Sequence, residues 1–333
     1  MRGDLSTSSH LFDVISTDQG DTTETTGENG VTSASSHRDA MYFEVLVVVI
    51  GVIGTAANGL VLYALVASKQ HKKHELIVNQ NAIDLYTCLF LVISYGMKFS
   101  NIHLNGTLGY WLCMLVYGES LLFVGLFASW VNLMIISIDR YLKVVHSAWS
   151  KKHLRKWMTY GAIACTWISG FVHEMAMVFQ STAVRDGVVH CYLILKNPES
   201  RLALVIYYFL FTYILVLLIF IFCYGKILMV VRRQAHVMAV HSAGGPSNAQ
   251  AQLNHQIIQS NVIKTMMLVC AFYAVAWLPE KILTLLIGFD IIILTYLNNA
   301  YYVTFFLGFL YICTNLVHHH HRQTLSECCQ QSF

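Results

Sequence analysis

Asp84 lies inside a long apolar stretch, just after Asn79-Gln80-Asn81-Ala82-Ile83. An ionised side chain at the centre of a membrane helix costs on the order of 2.5–3.5 kcal/mol on insertion scales, so Asp84 is expected to face other helices and to be paired, hydrated or neutralised. It is thereby a functional candidate by default, the alternative being a polar knot that only orients helices. A second charged group, Asp139-Arg140-Tyr141, closes another apolar run. A guanidinium there can pair with its neighbour or reach up into the interior, and two exclusive partners make a switch. The plainer alternative is an arginine snorkelling at the membrane edge. In a third place Trp277-Leu278-Pro279 is followed at once by Glu280 and Lys281. Residues three and four positions on share the face of Trp277, so these charges are expected to line a wet cavity as ligand contacts, the alternative being an ion pair satisfied by itself. Pro279 removes one backbone hydrogen bond and is expected to kink the helix that carries it. No nucleophile-and-base spacing, metal-ligand cluster or phosphate-cradling glycine loop forms a coherent site, so no enzyme is expected.

The elements that hold these residues follow from composition. The 333 residues are 56% hydrophobic and 12% charged, with mean hydropathy +0.55, too little polar surface to cover a globule in water. Runs of about 20 apolar residues place spans at 42–67, 76–97, 111–141, 157–180, 202–231, 261–288 and 298–317. They are continuous rather than alternating, which selects helices over barrel strands. The expected fold is all-α: a seven-transmembrane bundle over 41–319, preceded by a disordered outer tail at 1–40 and followed by a cytoplasmic tail at 320–333 with a short amphipathic helix. Lys69, Lys72, Lys73, Lys143, Lys151, Lys152, Arg155, Lys156, Arg232 and Arg233 mark the inner loops, which puts the N-terminus outside and the C-terminus in the cytoplasm. With no signal-peptide core ahead of it, the first span is expected to act as its own insertion signal. The net charge of +3 reflects those loops, and no nucleic-acid partner is expected. Gly244-Gly245-Pro246 in the loop 234–258 is expected to let the fifth and sixth spans move against each other.

Cys88, Cys165, Cys223, Cys270 and Cys313 lie within spans, and Cys328 and Cys329 in the inner tail, where they are candidates for palmitoylation, the alternative being a free reduced pair. Cys113 and Cys191 meet the oxidising side, and a disulfide between them is expected to pin the loop 181–200 to the third span. Asn105-Gly106-Thr107 is a glycosylation sequon on an outer loop.

The order of marks along the spans resembles the rhodopsin-like (class A) G-protein-coupled receptors over about 42–329: Asn58 in the first span, Asn79 to Asp84 in the second, Asp139-Arg140-Tyr141 ending the third, Trp167 in the fourth, Tyr224 in the fifth and Trp277-Leu278-Pro279 in the sixth. The resemblance implies that Asp84, with Ser129, Asn58 and Asn315, holds sodium or a proton, and that Arg140, once freed, meets Tyr224 and the C-terminal helix of a heterotrimeric G protein. Gln259 stands where an acidic lock is expected, so restraint is weak and some basal activity is expected.

The chain also departs from the family pattern. Asn315-Leu316-Val317-His318-His319 replaces Asn-Pro-x-x-Tyr; Val216 stands at the fifth-span proline and Ala276 at the cysteine before Trp277. Cys113 is two residues farther from Arg140 than the family spacing, so the third helix is expected to begin differently. The amine-binding position falls at Leu122, or at Ser120 counted from Cys113, and the retinal-linking position at Phe309, which argues against monoamines and light. His318 to His321 read as interfacial side chains before a metal tract. Pocket candidates are Glu119, Tyr208, Thr212, Trp277, Glu280 and Lys281, with His173 and Glu174 behind them; mixed charges and aromatics suit a peptide or a small zwitterion. The expected function is a plasma-membrane receptor in which an extracellular ligand drives outward movement of the sixth helix and activates a G protein. Membrane lipids are its surroundings, and it needs no cofactor beyond an allosteric sodium. A transporter or channel using Asp84, Glu119, Glu280 and Lys281, or a receptor-like partner that couples poorly, are the alternatives.

Overall fold

The protein is described by a computed structural model covering residues 29–69, 75–100, 105–178, 183–185, 188–190, 198–241, 246–291 and 298–314, with side chains over 38–69, 75–100, 105–174, 202–234, 263–264, 267–291 and 300–313. Cys191, Asn315, His318 to His321, the stretch expected to form an amphipathic C-terminal helix, Cys328 and Cys329 lie outside the described residues, as does the side chain of Gln259.

The first two spans are α1 (Asn29–Ala67) and α2 (Glu75–Phe99). The third is built from α3 (Gly106–Leu112), a π-helical turn (Cys113–Tyr117) and α4 (Ser120–Val145). After α5 (Ser147–His153) comes the fourth span, α6 (Lys156–Val178), then a hairpin of β1 (Ala183–Arg185) and β2 (Val188–His190). The fifth span joins α7 (Pro198–Phe209) through a second π-helical turn (Leu210–Ile214) to α8 (Leu215–His241). The sixth and seventh are α9 (Pro246–Gly288) and α10 (Asn298–Thr314). Within the described residues, Arg38–Ala67, Glu75–Phe99, Gly106–Val145, Leu202–Gln234 and Met267–Gly288 are long and apolar enough to cross a membrane, and Ala300–Cys313 is a shorter apolar helix. Helix α2 packs against α1 and α4; α4 against α6 and α8; α7 against α9; and α10 closes the ring between α9 and α1. The third span is the central post.

The distribution of polarity is the reverse of that in a water-soluble globule. Leu60, Tyr63, Trp157, Val172, Ile221 and Val275 are exposed on the outside, while Asn58, Asn81, Asp84, Asn132 and Ser137 are buried. Leucine and valine can face hydrocarbon without cost, whereas an amide cannot, so the polar groups collect where they can bond one another. Gly54 marks the tightest approach: a Cβ there would lie 2.7 Å from both Cys88 Sγ and Cys313 Sγ, so α1, α2 and α10 meet only because residue 54 has no side chain.

Three boundaries differ from those read from the sequence. The line between tail and bundle at residue 40 falls inside α1, which begins at Asn29; once a helix is nucleated by an apolar span, extending it costs little. The loop 234–258 is largely helical, since α8 runs to His241 and α9 starts at Pro246, a proline at a first helical position where its missing N–H costs nothing. The third span indeed begins differently: the excess length before Arg140 is taken up at the π-helical turn and at Glu119, whose φ is +61°.

Candidate functional site

Helix α4 starts from that irregular junction. Gly118 N–H donates to Cys113 O at 2.9 Å, Glu119 N–H to Val116 O at 2.9 Å, and Ser120 Oγ to Met114 O at 2.8 Å. A left-handed residue with a side chain costs of order 1–3 kcal/mol and persists only where its surroundings hold it. What holds Glu119 is Lys98, with which it forms a buried ion pair. Lys98 Nζ also lies 4.6 Å from the Tyr95 ring centroid and 5.9 Å from that of Tyr117. The sequence reading passed over Lys98, which stands just beyond its second span; the available signal was that it lies about four turns from Asp84 on the same helix face.

A second buried pair sits on α9. Lys281 Nζ is 3.0 Å from Glu280 Oε2, aligned as an ion pair rather than as a hydrogen bond, since that oxygen has no hydrogen-bond partner. Thr284 Oγ1 donates to Glu280 Oε1 at 2.9 Å. The ammonium of Lys281 lies 5.0 Å from the Trp130 ring and 5.4 Å from that of Trp277. Both residues thus do sit on the face of Trp277, and both are buried. A third cluster joins α6 to α7: His173 Nδ1 is 2.8 Å from Glu174 Oε1, and Tyr208 donates to the same oxygen at 3.1 Å. The His173 ring stacks on Phe127 at 3.9 Å, while its Nε2 is buried without a hydrogen-bond partner. Thr212 contributes less than expected, because its hydroxyl donates to Tyr208 O on its own helix at 2.6 Å. Its carbonyl accepts from Tyr273, and Tyr213 donates to Ala274 O at 2.8 Å, so the π-helical turn is tied to α9 without a proline at Val216. At the positions weighed for an amine or retinal ligand, Leu122 and Phe309 are fully buried apolar residues and the Ser120 hydroxyl is engaged.

Trp277 lies beneath these groups. It meets Trp130 edge-on at 5.3 Å, its indole N–H has no hydrogen-bond partner, and a Cβ on Gly308 of α10 would touch its ring at 2.9 Å. Two residues on, Pro279 lies inside α9 and deprives the Val275 carbonyl of its helical donor.

Deeper still, Asp84 is completely buried, with Oδ1 accepting from Gln80 Nε2 at 2.9 Å and from Ser129 Oγ at 3.1 Å. Asn58, expected to join Asp84, donates instead to Gly54 O at 2.8 Å and towards Cys88 Sγ at 3.8 Å. Gln80 and Asn132 were not singled out as site residues, although Gln80 and Asp84, like Ser129 and Asn132, recur at helical spacing.

At the inner end, Asp139 pairs with Lys143 (2.8 Å) rather than with its neighbour, and Arg140 Nε is buried without a hydrogen-bond partner. Tyr224 is buried and accepts from Ser137 Oγ at 3.3 Å. Tyr141 reaches His146 Nε2 at 3.1 Å. At the outer end Asn105 is exposed and Cys113 is disulfide-bonded; the other described cysteines, Cys88, Cys165, Cys223, Cys270 and Cys313, are free.

Comparison with known proteins matches residues 57–315 to the family described as 7 transmembrane receptor (rhodopsin family). The substance-K receptor of Mus musculus is 24% identical over 278 residues, covering 79% of this chain and 69% of that protein. The C-C chemokine receptor type 8 of Mus musculus is 26% identical over 290 residues, covering 83% and 74%. The galanin receptor type 1 of Homo sapiens is 25% identical over 275 residues, covering 78% and 72%.

Proposed function

The chain belongs to the rhodopsin family of seven-transmembrane receptors, and on that premise we propose that it binds a peptide or small zwitterionic ligand in its outer half and answers by swinging α9 outward about Pro279. It is a multi-pass plasma-membrane receptor that acts with an extracellular ligand and a G protein, not an enzyme. Beyond that, our reading places the N-terminus outside and the C-terminus in the cytoplasm, on the lysine and arginine bias of the loops.

The observation that carries the reading is a set of buried charged groups, one of which, Lys281, lies 5.4 Å from the Trp277 ring. Lys98 with Glu119 and Glu280 with Lys281 are each internally compensated, and Glu174 is hydrogen-bonded to His173 and Tyr208. Even so, Glu280 Oε2, His173 Nε2 and Trp277 Nε1 lack hydrogen-bond partners. A ligand carrying both an ammonium and a carboxylate can exchange into such pairs without leaving a net charge buried, whereas a singly charged ligand would strand one. Relatives named for substance K, C-C chemokines and galanin fit a peptide. Binding there reaches Trp277 through Lys281, and Trp277 bears on Gly308 of α10. The ligand stabilises the open arrangement only by the difference between its affinities for the two states.

The test is G-protein dissociation in cells expressing the wild type, screened against a peptide library, with Arg140→Ala as the control. We expect a hit that is lost in Arg140→Ala and weakened in Lys281→Ala with surface expression retained. A wild type silent towards every peptide, even at raised expression, would instead support the poorly coupling alternative, to which Leu316 and His319, at the family's proline and tyrosine positions, give a reason.

A further inference from the structure

Between α6, α2 and α4 the polar side chains form one hydrogen-bond chain with a direction. Trp167 Nε1 donates to Asn79 Oδ1 at 3.0 Å. Asn79 Nδ2 donates to Asn132 Oδ1 at 3.0 Å, and Asn132 Nδ2 to Gln80 Oε1 at 2.8 Å. Gln80 Nε2 then donates to both Asp84 Oδ1, at 2.9 Å, and Ser129 Oγ, at 2.6 Å, while Ser129 gives its own hydrogen to Asp84 Oδ1 at 3.1 Å.

The two ends fix the orientation of everything between them. An indole N–H can only donate and an ionised carboxylate can only accept, so each intervening amide has one arrangement that satisfies both neighbours. Every donor points towards Asp84, and such chains polarise in a low-dielectric interior, so the negative charge ends on an acceptor oxygen already held by two aligned donors.

The family resemblance implies a sodium ion held by Asp84 and Ser129. A cation requires converging lone pairs, yet Asp84 Oδ1 and Ser129 Oγ are both engaged by the amino group of Gln80, which puts its hydrogens where an ion shared by the two residues would sit. Turning that amide over would present its oxygen to an ion but set Nε2 against Asn132 Nδ2. Righting Asn132 would set it against Asn79 Nδ2, and righting Asn79 would set two donors together at Trp167. No sequence of flips removes the clash.

We propose that the side-chain amide of Gln80 is a built-in replacement for the cation, so that sodium does not bind at Asp84 in this receptor, and that Gln80 is the residue that decides this. The test needs neither ligand nor G protein. Thermal unfolding of the purified full chain in detergent is compared in sodium chloride and in choline chloride at equal ionic strength, for the wild type, Gln80→Ala, Gln80→Leu where alanine lowers the yield, and Gln80→Ala with Asp84→Asn. The wild type should unfold at the same temperature in both salts. Removing the amide should bring a rise of several degrees in sodium, by mass-action stabilisation of the folded state, and Asp84→Asn should abolish that rise. A wild type stabilised by sodium in an Asp84-dependent way would overturn the proposal. So would Gln80 variants that fold but ignore sodium, since the amide would then not be what excludes the ion.

Discussion

The bundle carries two polar layers built on opposite plans. Around Asp84 the groups form a single relay in which each amide is fixed by the next, from Trp167 to the carboxylate. The other buried charged groups form separate clusters, Lys98 with Glu119, Lys281 with Glu280 beside Trp277, and His173 with Glu174, with buried polar atoms left over at Glu280, His173 and Trp277. A relay has one arrangement, and losing any member leaves its neighbours unsatisfied. Separate pairs can trade partners one at a time. The deep layer is therefore suited to hold α2, α4 and α6 in register, and the outer layer to accept a ligand.

The sharpest way to break this comparison is to remove half of a pair. Losing one partner of a buried ion pair typically costs about 3–5 kcal/mol, so Lys98→Ala should lower the unfolding temperature and surface expression strongly. Replacing both partners, as in Lys98→Leu with Glu119→Leu, should recover much of that loss. A neutral Lys98→Ala would mean the pair is hydrated and the outer layer already open to water. Next in size comes a packing test between the layers. Gly54→Ala places a methyl against Cys88 Sγ and Cys313 Sγ, and overpacking of this kind costs about 1–3 kcal/mol. Adding Cys88→Ala and Cys313→Ala should relieve part of it in a thermal shift assay, since both sulfur contacts go and only the Cys313 Cβ contact at 2.9 Å stays; no relief at all would mean that the sulfurs are not what the methyl meets.

Trp167→Phe probes the far end of the relay. It keeps an aromatic ring edge-on to Tyr86, a contact at 5.4 Å, but leaves Asn79 Oδ1 without its donor. The expected cost is about 1–3 kcal/mol, that of one unsatisfied buried acceptor. If each layer is independent, Trp167→Phe and Lys98→Ala should be additive within about 0.5 kcal/mol, as distant sites without shared partners are. Strong coupling between them would mean the two layers are one network and the contrast is false.

How much of this could be read beforehand depended on the range of the interaction. Asp84, Arg140, Trp277 and Pro279 announce themselves locally, each being costly or conformationally decisive wherever it sits in an apolar run. That Lys281 lies on the face of Trp277 also followed from spacing along one helix, whereas its ion pair with Glu280 was the alternative to the ligand contacts expected there. The bond from Lys98 to Glu119 did not, because it needs the left-handed turn that aims Glu119, and no propensity announces an αL glutamate. Likewise the amide chain through Gln80 and Asn132 exists only once two helices are in register. The stop of α8 at His241 escaped the reading for another reason: polar residues after a span signal its exit from lipid, not the end of the helix.

The smallest effect is the most informative about the inner end. Lys143 takes the carboxylate of Asp139 at 2.8 Å across an exposed i, i+4 spacing, a contact worth only about 0.3–0.5 kcal/mol. Lys143→Ala should therefore leave the unfolding temperature nearly unchanged. Its consequence for signalling should be larger than its consequence for stability, because Asp139 becomes available to the adjacent guanidinium of Arg140, whose Nε has no hydrogen-bond partner here. A held Arg140 favours the closed arrangement, so ligand-independent G-protein dissociation should fall in Lys143→Ala, and Asp139→Asn added to it should restore the wild-type level. Basal signal that rises when Lys143 is removed would show that the lysine restrains the receptor by another route, and that Arg140 is not the group Asp139 controls.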